Sequence, residues 1–181
     1  MSRYAQLLEL IDKHKPRTLI EIGAWNGANA IRMINQALKY HDSVEYTGYD
    51  LFEDATSETD SKEFNVKSHN QVKAVAAYIK AETGIVPNLI KGNTNETLSL
   101  DTVADFVFLD GGHSIGTIAL DYAAVKNSKV VVLDDYYTDG VDISKYGCNS
   151  LVDTLSLPHE ILPPKDPVKG GGYTQLVVIC Q

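Results

Sequence analysis

Two segments of the chain, ADFVFLDGGHS and KVVVLDDYYTDG, run through apolar strand-forming residues and stop at carboxylates: Asp110 in the first, Asp134 and Asp135 in the second. Uncompensated carboxylates gathered in one place repel one another and resist ionisation, so three of them point to a cation between them. A hard divalent ion such as Mg²⁺ takes oxygen ligands in an octahedron and keeps positions for water or substrate. Mn²⁺ or Ca²⁺ accept the same oxygens. Three protein oxygens leave room for a substrate that chelates through two adjacent oxygens, and the lack of Cys or several His nearby disfavours zinc. His113, three residues after Asp110, is a candidate general base with an ordinary pKa of roughly 6.5. The plainer alternatives are that the acids only end their strands in turns and that His113 orients backbone at the start of the next helix.

A second constellation lies earlier. The stretch EIGAWNGANA places Gly23 and Gly27 around a turn, where glycine lets backbone approach a ligand closely. Its spacing, E-x-G-x-x-x-G, departs from the G-x-G-x-x-G dinucleotide fingerprint, and no Gly-Lys-Ser/Thr follows as in a triphosphate loop. NAD(P) and nucleoside triphosphates are therefore poor candidates. Trp25 inside this turn suits packing against a ligand or lid. YTGYD ends at Asp50, where an acid can accept both hydrogen bonds of a ribose diol or can serve as a turn residue. In KGNTNETL, Asn93 and Thr94 can reach an adenine or cap a short helix, with capping favoured for Thr94. The acidic segment 51–65 is a lid or a solvated insertion, and Tyr136 and Tyr137 either line a substrate pocket or lie exposed in a loop.

The elements that must position these residues follow from periodicity. Strand-like runs fall at 18–22, 44–49, 88–90, 105–109 and 129–133, separated by helical patterns at 28–39, 66–82 and 114–126. A further helix is expected within residues 1–16, with Ser2 as a candidate cap. Strand alternating with helix implies parallel pairing through right-handed crossovers, and runs that are apolar throughout imply helices on both faces. The class is α/β, a doubly wound and mostly parallel sheet. HEILPP and YTQLVVIC, joined by a Pro- and Gly-rich loop, break the alternation and suit an antiparallel hairpin, which brings the sheet to seven strands. The acids and the two irregular segments, 51–65 and 136–147, leave strands at their carboxyl ends, where such folds bind ligands.

Composition narrows the function classes. At 181 residues, with 44% hydrophobic and 22% charged content, the chain suits one globular domain over 1–181. A formal charge of −8 and a pI near 5.0 supply no basic field, so nucleic acid is not expected as a partner. Two cysteines, Cys148 and Cys180, are too few for a disulfide framework. No apolar run approaches the roughly 20 residues of a membrane span, and the first helix carries charges unlike an export signal. A cytoplasmic protein without membrane attachment is expected.

The order of these features, E-I-G-A-W-N-G, then an acid ending the second strand, then FVFLDGGH ending the fourth, resembles a class I S-adenosylmethionine-dependent methyltransferase. D-G-G-H followed by V-L-D-D-Y is similar to the metal-dependent O-methyltransferases of the macrocin O-methyltransferase type, which act on sugar or other hydroxyls in natural-product pathways. The resemblance spans residues 17–137 and implies a Rossmann-like methyltransferase fold. It implies that Glu21, Gly23 and Gly27 line the methionine and ribose portion of S-adenosyl-L-methionine and that Asp50 holds the ribose hydroxyls. Ala24, Trp25, Leu51, Asn93, Thr94, Asp110 and His113 complete the implied cofactor site. Asp110, Asp134 and Asp135 become the implied ligands of Mg²⁺ or another hard divalent cation, and His113 with Asp110 the catalytic pair. The expected activity is O-methyl transfer to a hydroxyl of a small polyhydroxylated acceptor. The family uses further amino-terminal elements to close the site and build oligomers, whereas here one helix precedes the first strand, which leaves a homo-oligomer open. The alternatives are a metal-dependent hydrolase using the Asp cluster and a noncatalytic cofactor-binding domain.

Overall fold

The structure is a computed structural model that describes every residue except 1, 64–68, 165 and 170. The first strand, β1 (Thr18–Ile22), pairs in parallel with β2 (Glu45–Asp50) on one side and β4 (Phe106–Leu109) on the other. Outward from these lie β3 (Asn88–Lys91) beside β2 and β5 (Val130–Tyr137) beside β4, both parallel. The chain then returns through β6 (His159–Ile161), the two-residue β7 (Asp166–Pro167) and β8 (Tyr173–Cys180). β8 inserts antiparallel between β5 and β6, giving the order β3-β2-β1-β4-β5-β8-β6, with β7 paired to β8 off this path. The expected mostly parallel sheet with a C-terminal antiparallel pair is present, with β7 as one short strand more.

Burial explains why the central strands read as apolar throughout. Side chains alternate between faces along a strand, and in β4 Phe106 and Phe108 enter one core while Val107 and Leu109 enter the other. The first core is covered by α1 (Arg3–His14), α2 (Ala28–Ala37) and α4 (Val72–Thr83), through Leu7, Ile11, Met33, Ile34 and Ile79. The second is covered by α6 (Ile115–Val125) and α7 (Asn149–Val152), through Ile118, Tyr122, Val125 and Val152. Two short helices, α3 (Ser57–Lys62) and α5 (Thr94–Thr97), sit in the connections after β2 and β3. Among the described residues no helix is long and apolar enough to cross a membrane.

Some element ends differ from the sequence expectation for local reasons. Ser2 occupies the N-cap position of α1 but its side chain makes no capping hydrogen bond. α4 begins at Val72, later than position 66, because Glu53 accepts the Val72 N–H at 2.9 Å and fixes the first turn there; positions 66–68 lie outside the described residues. β5 does not end at Leu133. It continues to Tyr137 because β8 keeps pairing with it, Tyr136 with Gln175 and Tyr137 with Thr174, after a register shift that follows Leu133. Such a bulge re-aims side chains, and here it carries Asp134 and Asp135, the latter at φ 63°.

At the opposite, amino-terminal edge of the sheet, one carboxylate clips three strands. Asp105 accepts the N–H groups of Arg17 and Thr18 at 2.9 and 3.0 Å, and Lys129 donates to it at 2.6 Å. Burial alone would raise this carboxyl, but Lys129 and the two N–H groups outweigh it and hold it at about 2, below the ordinary 3.8. A depressed folded-state pKa gives stability that is complete above about pH 4 and lost as pH falls toward 2. Asp105→Ala is expected to cost about 1–3 kcal/mol at pH 7. Urea unfolding at pH 7 and pH 2.5 checks this, the difference between variant and parent shrinking at the lower pH.

Candidate active site

The register of the central strands brings the acids together. Leu109 of β4 is the partner of Leu133 of β5, so Asp110 and Asp134 stand side by side just past the last parallel pair. All three carboxyl groups are buried, Asp110 at 7%, Asp134 at 2% and Asp135 at 6% exposure. One ligand atom each from Asp110, His113 and Asp135 falls within 4.8 Å of the others, and His113 Nε2 lies 3.4 Å from Asp135 Oδ2. Tyr137, 6% exposed, donates its hydroxyl to Asp135 Oδ1 at 2.8 Å.

Asp134 faces elsewhere. Arg3, from the first turn of α1, donates Nε–H to both of its oxygens at 2.8 and 2.9 Å. The same guanidinium donates to Asp166 Oδ2 at 2.9 Å and to the Tyr4 hydroxyl at 2.9 Å, and Tyr4 in turn donates to Asp110 Oδ2 at 3.2 Å. Burial pushes the Asp134 carboxyl up, the charge of Asp135 pushes the same way, and Arg3 opposes both. Burial would lower the Arg3 guanidinium, but Asp134, Tyr4 and Asp110 hold it well above its ordinary range. Burial, followed by the charges of Asp110 and Asp134, raises the Tyr4 hydroxyl, so it stays protonated and keeps donating. Neither Arg3 nor Tyr4 was legible as a site residue, because the pairing spans 131 positions of sequence and no local pattern announces it.

Beside the acids lies a cavity of about 160 Å³. Of the residues implied for a cofactor, Gly23, Trp25, Asp50, Leu51, Asn93, Thr94 and Asp110 line it. Glu21, Ala24, Gly27 and His113 are not in its wall. Glu21, 1% exposed, sits beneath the turn and accepts a short hydrogen bond from the Tyr46 hydroxyl. Gly23 has φ +94°, and a Cβ there would stand 2.0 Å from the Asp110 carbonyl oxygen, so only glycine allows the turn and the end of β4 to meet. Asp50 accepts the N–H of Trp25 at 2.8 Å on one oxygen and that of Phe52 at 2.8 Å on the other. Each oxygen retains a second acceptor site. Asn93, not Thr94, caps α5, its side chain accepting from Asn95 N–H at 3.0 Å.

The described part of the acidic segment borders this cavity through Ala55, Thr59, Asp60, Lys62 and Glu63. Glu63 accepts from Ser114 N–H at 2.8 Å and Thr117 Oγ1 at 2.8 Å, which places a carboxylate on the positive end of α6. Positions 64 and 65 of the segment lie outside the described residues. Tyr136 is half-buried against the second core and Tyr137 is buried, so neither is an exposed loop residue. Asp121, 3% exposed in α6, also reaches the cavity wall; it is the lone charge in the otherwise uncharged helix IGTIALDYAAV.

A family described as a methyltransferase domain matches residues 20–136, the span that holds the glycine turn, Asp50 and the acid cluster. The chain belongs to this methyltransferase family. Its fold is that of the class I S-adenosylmethionine-dependent enzymes. Similar solved structures include the O-methyltransferase TomG from Streptomyces achromogenes, involved in tomaymycin synthesis and solved with S-adenosylmethionine. It is 15% identical with a TM-score of 0.62, over 98% of this chain and 79% of that one. An O-methyltransferase from Bacillus cereus, solved with S-adenosylhomocysteine, is 12% identical with a TM-score of 0.60, over 98% and 80%. A precorrin-6y C5,15-methyltransferase from Geobacter metallireducens is 14% identical with a TM-score of 0.59, over 98% and 87%. Enzymes described by different reactions share the fold, so fold alone does not fix the acceptor. No curated protein matches the sequence.

The Arg3 network makes a mechanical prediction. Arg3→Ala leaves Asp134 buried without its cation, and breaking such a pair from one side costs about 3 kcal/mol. Asp134→Ala added to Arg3→Ala is expected to restore part of that loss, a non-additivity measurable by urea unfolding of the two single variants and the double variant.

Proposed function

We propose that this methyltransferase transfers a methyl group from S-adenosyl-L-methionine to a hydroxyl oxygen of a small polyhydroxylated molecule, sugar-like or natural-product-like, with help from a divalent cation. The observation that carries the proposal is the double position of Asp110. It lines the cavity beside Gly23 and also belongs to the group it forms with His113 and Asp135, so the donor and acceptor halves of a transfer site meet at one side chain.

The residues fit both groups. Two carboxylates and an imidazole within 4.8 Å suit Mg²⁺ or Mn²⁺, and the buried His113 Nδ1 has no hydrogen-bond partner among the described residues. Asp110 and Asp135 would hold the cation. Asp134, whose oxygens are engaged by Arg3, supports them from behind. When bound, the cation lowers the pKa of a coordinated hydroxyl and the cofactor supplies the methyl group on its sulfonium. His113, 3.4 Å from Asp135, would take the hydroxyl proton as general base. Asp50 holds the ribose diol through its remaining acceptor sites. Gly23 brings the methionine end against the turn of Asp110, which supplies the proximity on which an in-line displacement depends. The described part of the acidic segment, tied to α6 by Glu63, covers the cofactor side and limits water there.

Calorimetric titration of S-adenosylmethionine and S-adenosylhomocysteine into metal-stripped protein, with and without Mg²⁺, is expected to show binding of both. Absence of binding in either condition overturns the proposal. Asp50→Ala is expected to weaken S-adenosylhomocysteine at least tenfold, about 1.4 kcal/mol. Asp135→Ala is expected to bind S-adenosylhomocysteine as the parent does while losing Mg²⁺-dependent methylation over a panel of vicinal diols and sugars. Undiminished, Mg²⁺-independent turnover by that variant excludes the cation's role.

A further inference from the structure

A turn that takes no part in the transfer holds the end of β5. β4 ends at Leu109, the partner of Leu133, so on that side the backbone of β5 beyond Leu133 needs other partners. Three consecutive residues, 147–149, stand there. Cys148 N–H donates to the Asp135 carbonyl at 3.0 Å. The Asn149 side chain takes both polar groups of Tyr137, accepting its N–H at 3.0 Å and donating to its carbonyl at 2.8 Å. A carboxamide has the donor and acceptor of a peptide unit, so Asn149, 8% exposed, does for Tyr137 what a neighbouring strand would. Gly147, at φ +89°, opens the turn, and a Cβ on it would stand 2.6 Å from the Tyr137 ring. Its N–H donates to the His113 carbonyl at 2.8 Å.

The turn therefore grips the backbone of His113 and of Asp135 together. Asp135 has φ 63°, a left-handed conformation that costs a residue other than glycine energy and persists where its surroundings fix it. Tyr137, seated by Asn149, donates its hydroxyl to Asp135 Oδ1 at 2.8 Å, while Asp135 Oδ2 faces His113 Nε2 at 3.4 Å. We propose that Asn149 is a positioning residue: its amide, by fixing the backbone of Tyr137, holds the turn at Asp135 and so aims the Asp135 carboxyl toward Asp110 and His113, where the proposed cation lies. This rests on the cation reading above. The competing role is purely structural, in which Asn149 only joins α7 to β5 and any side chain that keeps the protein folded serves as well.

The test measures Mn²⁺ binding to the full chain, with S-adenosylhomocysteine present, through loss of the electron paramagnetic resonance signal of the free ion. Asn149→Ala is expected to weaken Mn²⁺ binding at least tenfold, the scale for groups that orient a metal ligand, and to bind S-adenosylhomocysteine within about twofold of the parent by calorimetry. Asn149→Ser, whose single hydroxyl cannot serve both backbone groups of Tyr137, replaces the alanine variant if that one fails to fold and is expected to show the same split. A lowered urea midpoint with Mn²⁺ affinity unchanged marks the structural role and overturns the inference while the cation reading stands. Equal loss of affinity for Mn²⁺ and for S-adenosylhomocysteine overturns it as well, since a general loosening of the sheet edge then explains both. Failure of the parent to bind Mn²⁺ overturns the inference and the cation reading together.

Discussion

Three carboxyl groups buried at one end of two neighbouring strands set the constraint on which the site depends. Like charges at this spacing in a water-poor setting cannot all ionise without compensation. The chain compensates them from three directions. Arg3 supplies a full positive charge to Asp134, Tyr4 donates a hydroxyl proton to Asp110, and Tyr137 donates one to Asp135. Compensation by hydroxyls is partial, since they bring dipoles and not charge. Asp110 and Asp135 are the two acids that stand with His113, and the cation proposed for the site would lie among these three.

The same constraint gives α1 a task beyond packing. Its apolar stripe, including Leu7, Leu10 and Ile11, seals the first core, and that seating carries Arg3 and Tyr4 to the carboxyl edge of β4 and β5. Arg3 also binds Asp166 of β7, so the helix, the C-terminal strands and the acid cluster are tied through one guanidinium. Arg suits this position better than Lys, because its planar fork can serve Asp134, Asp166 and Tyr4 at once. A shift of α1 would therefore disturb the acids before it opened the core.

What was legible in the sequence follows the range of the interaction that sets each feature. β1 was legible to the residue, because its apolar run and the glycine turn that ends it are local. The alternation of β4 between two cores was legible in the same way. β5 was read as too short because its continuation through Asp134 to Tyr137 depends on β8, which arrives from the far end of the chain. The meeting of Asp110 with Asp135 was inferable from parallel pairing of neighbouring strands, whereas the engagement of Asp134 by Arg3 was not, since nothing near either residue encodes it. Thr94 was read as a cap because its type fits that task. The cap is Asn93, and Thr94 instead stands in the cavity wall.

Gly23 links the two halves of the site more tightly than any side chain. Its Cα approaches the Asp110 carbonyl so closely that the space of a methyl group is already taken, and the Gly23 and Ala24 N–H groups donate to the Tyr49 carbonyl at 2.8 and 3.2 Å. The turn is therefore pinned between the ends of β2 and β4, with Asp50 following Tyr49 on one side and Asp110 on the other. A residue with a Cβ at position 23 would have to push β4 outward, and Asp110 would move with it, out of register with Asp135. The glycine turn and the acid cluster thus cannot be displaced independently. That rigidity is what a transfer between a fixed donor and a fixed oxygen requires, because small errors in the separation of reacting atoms are expensive in rate.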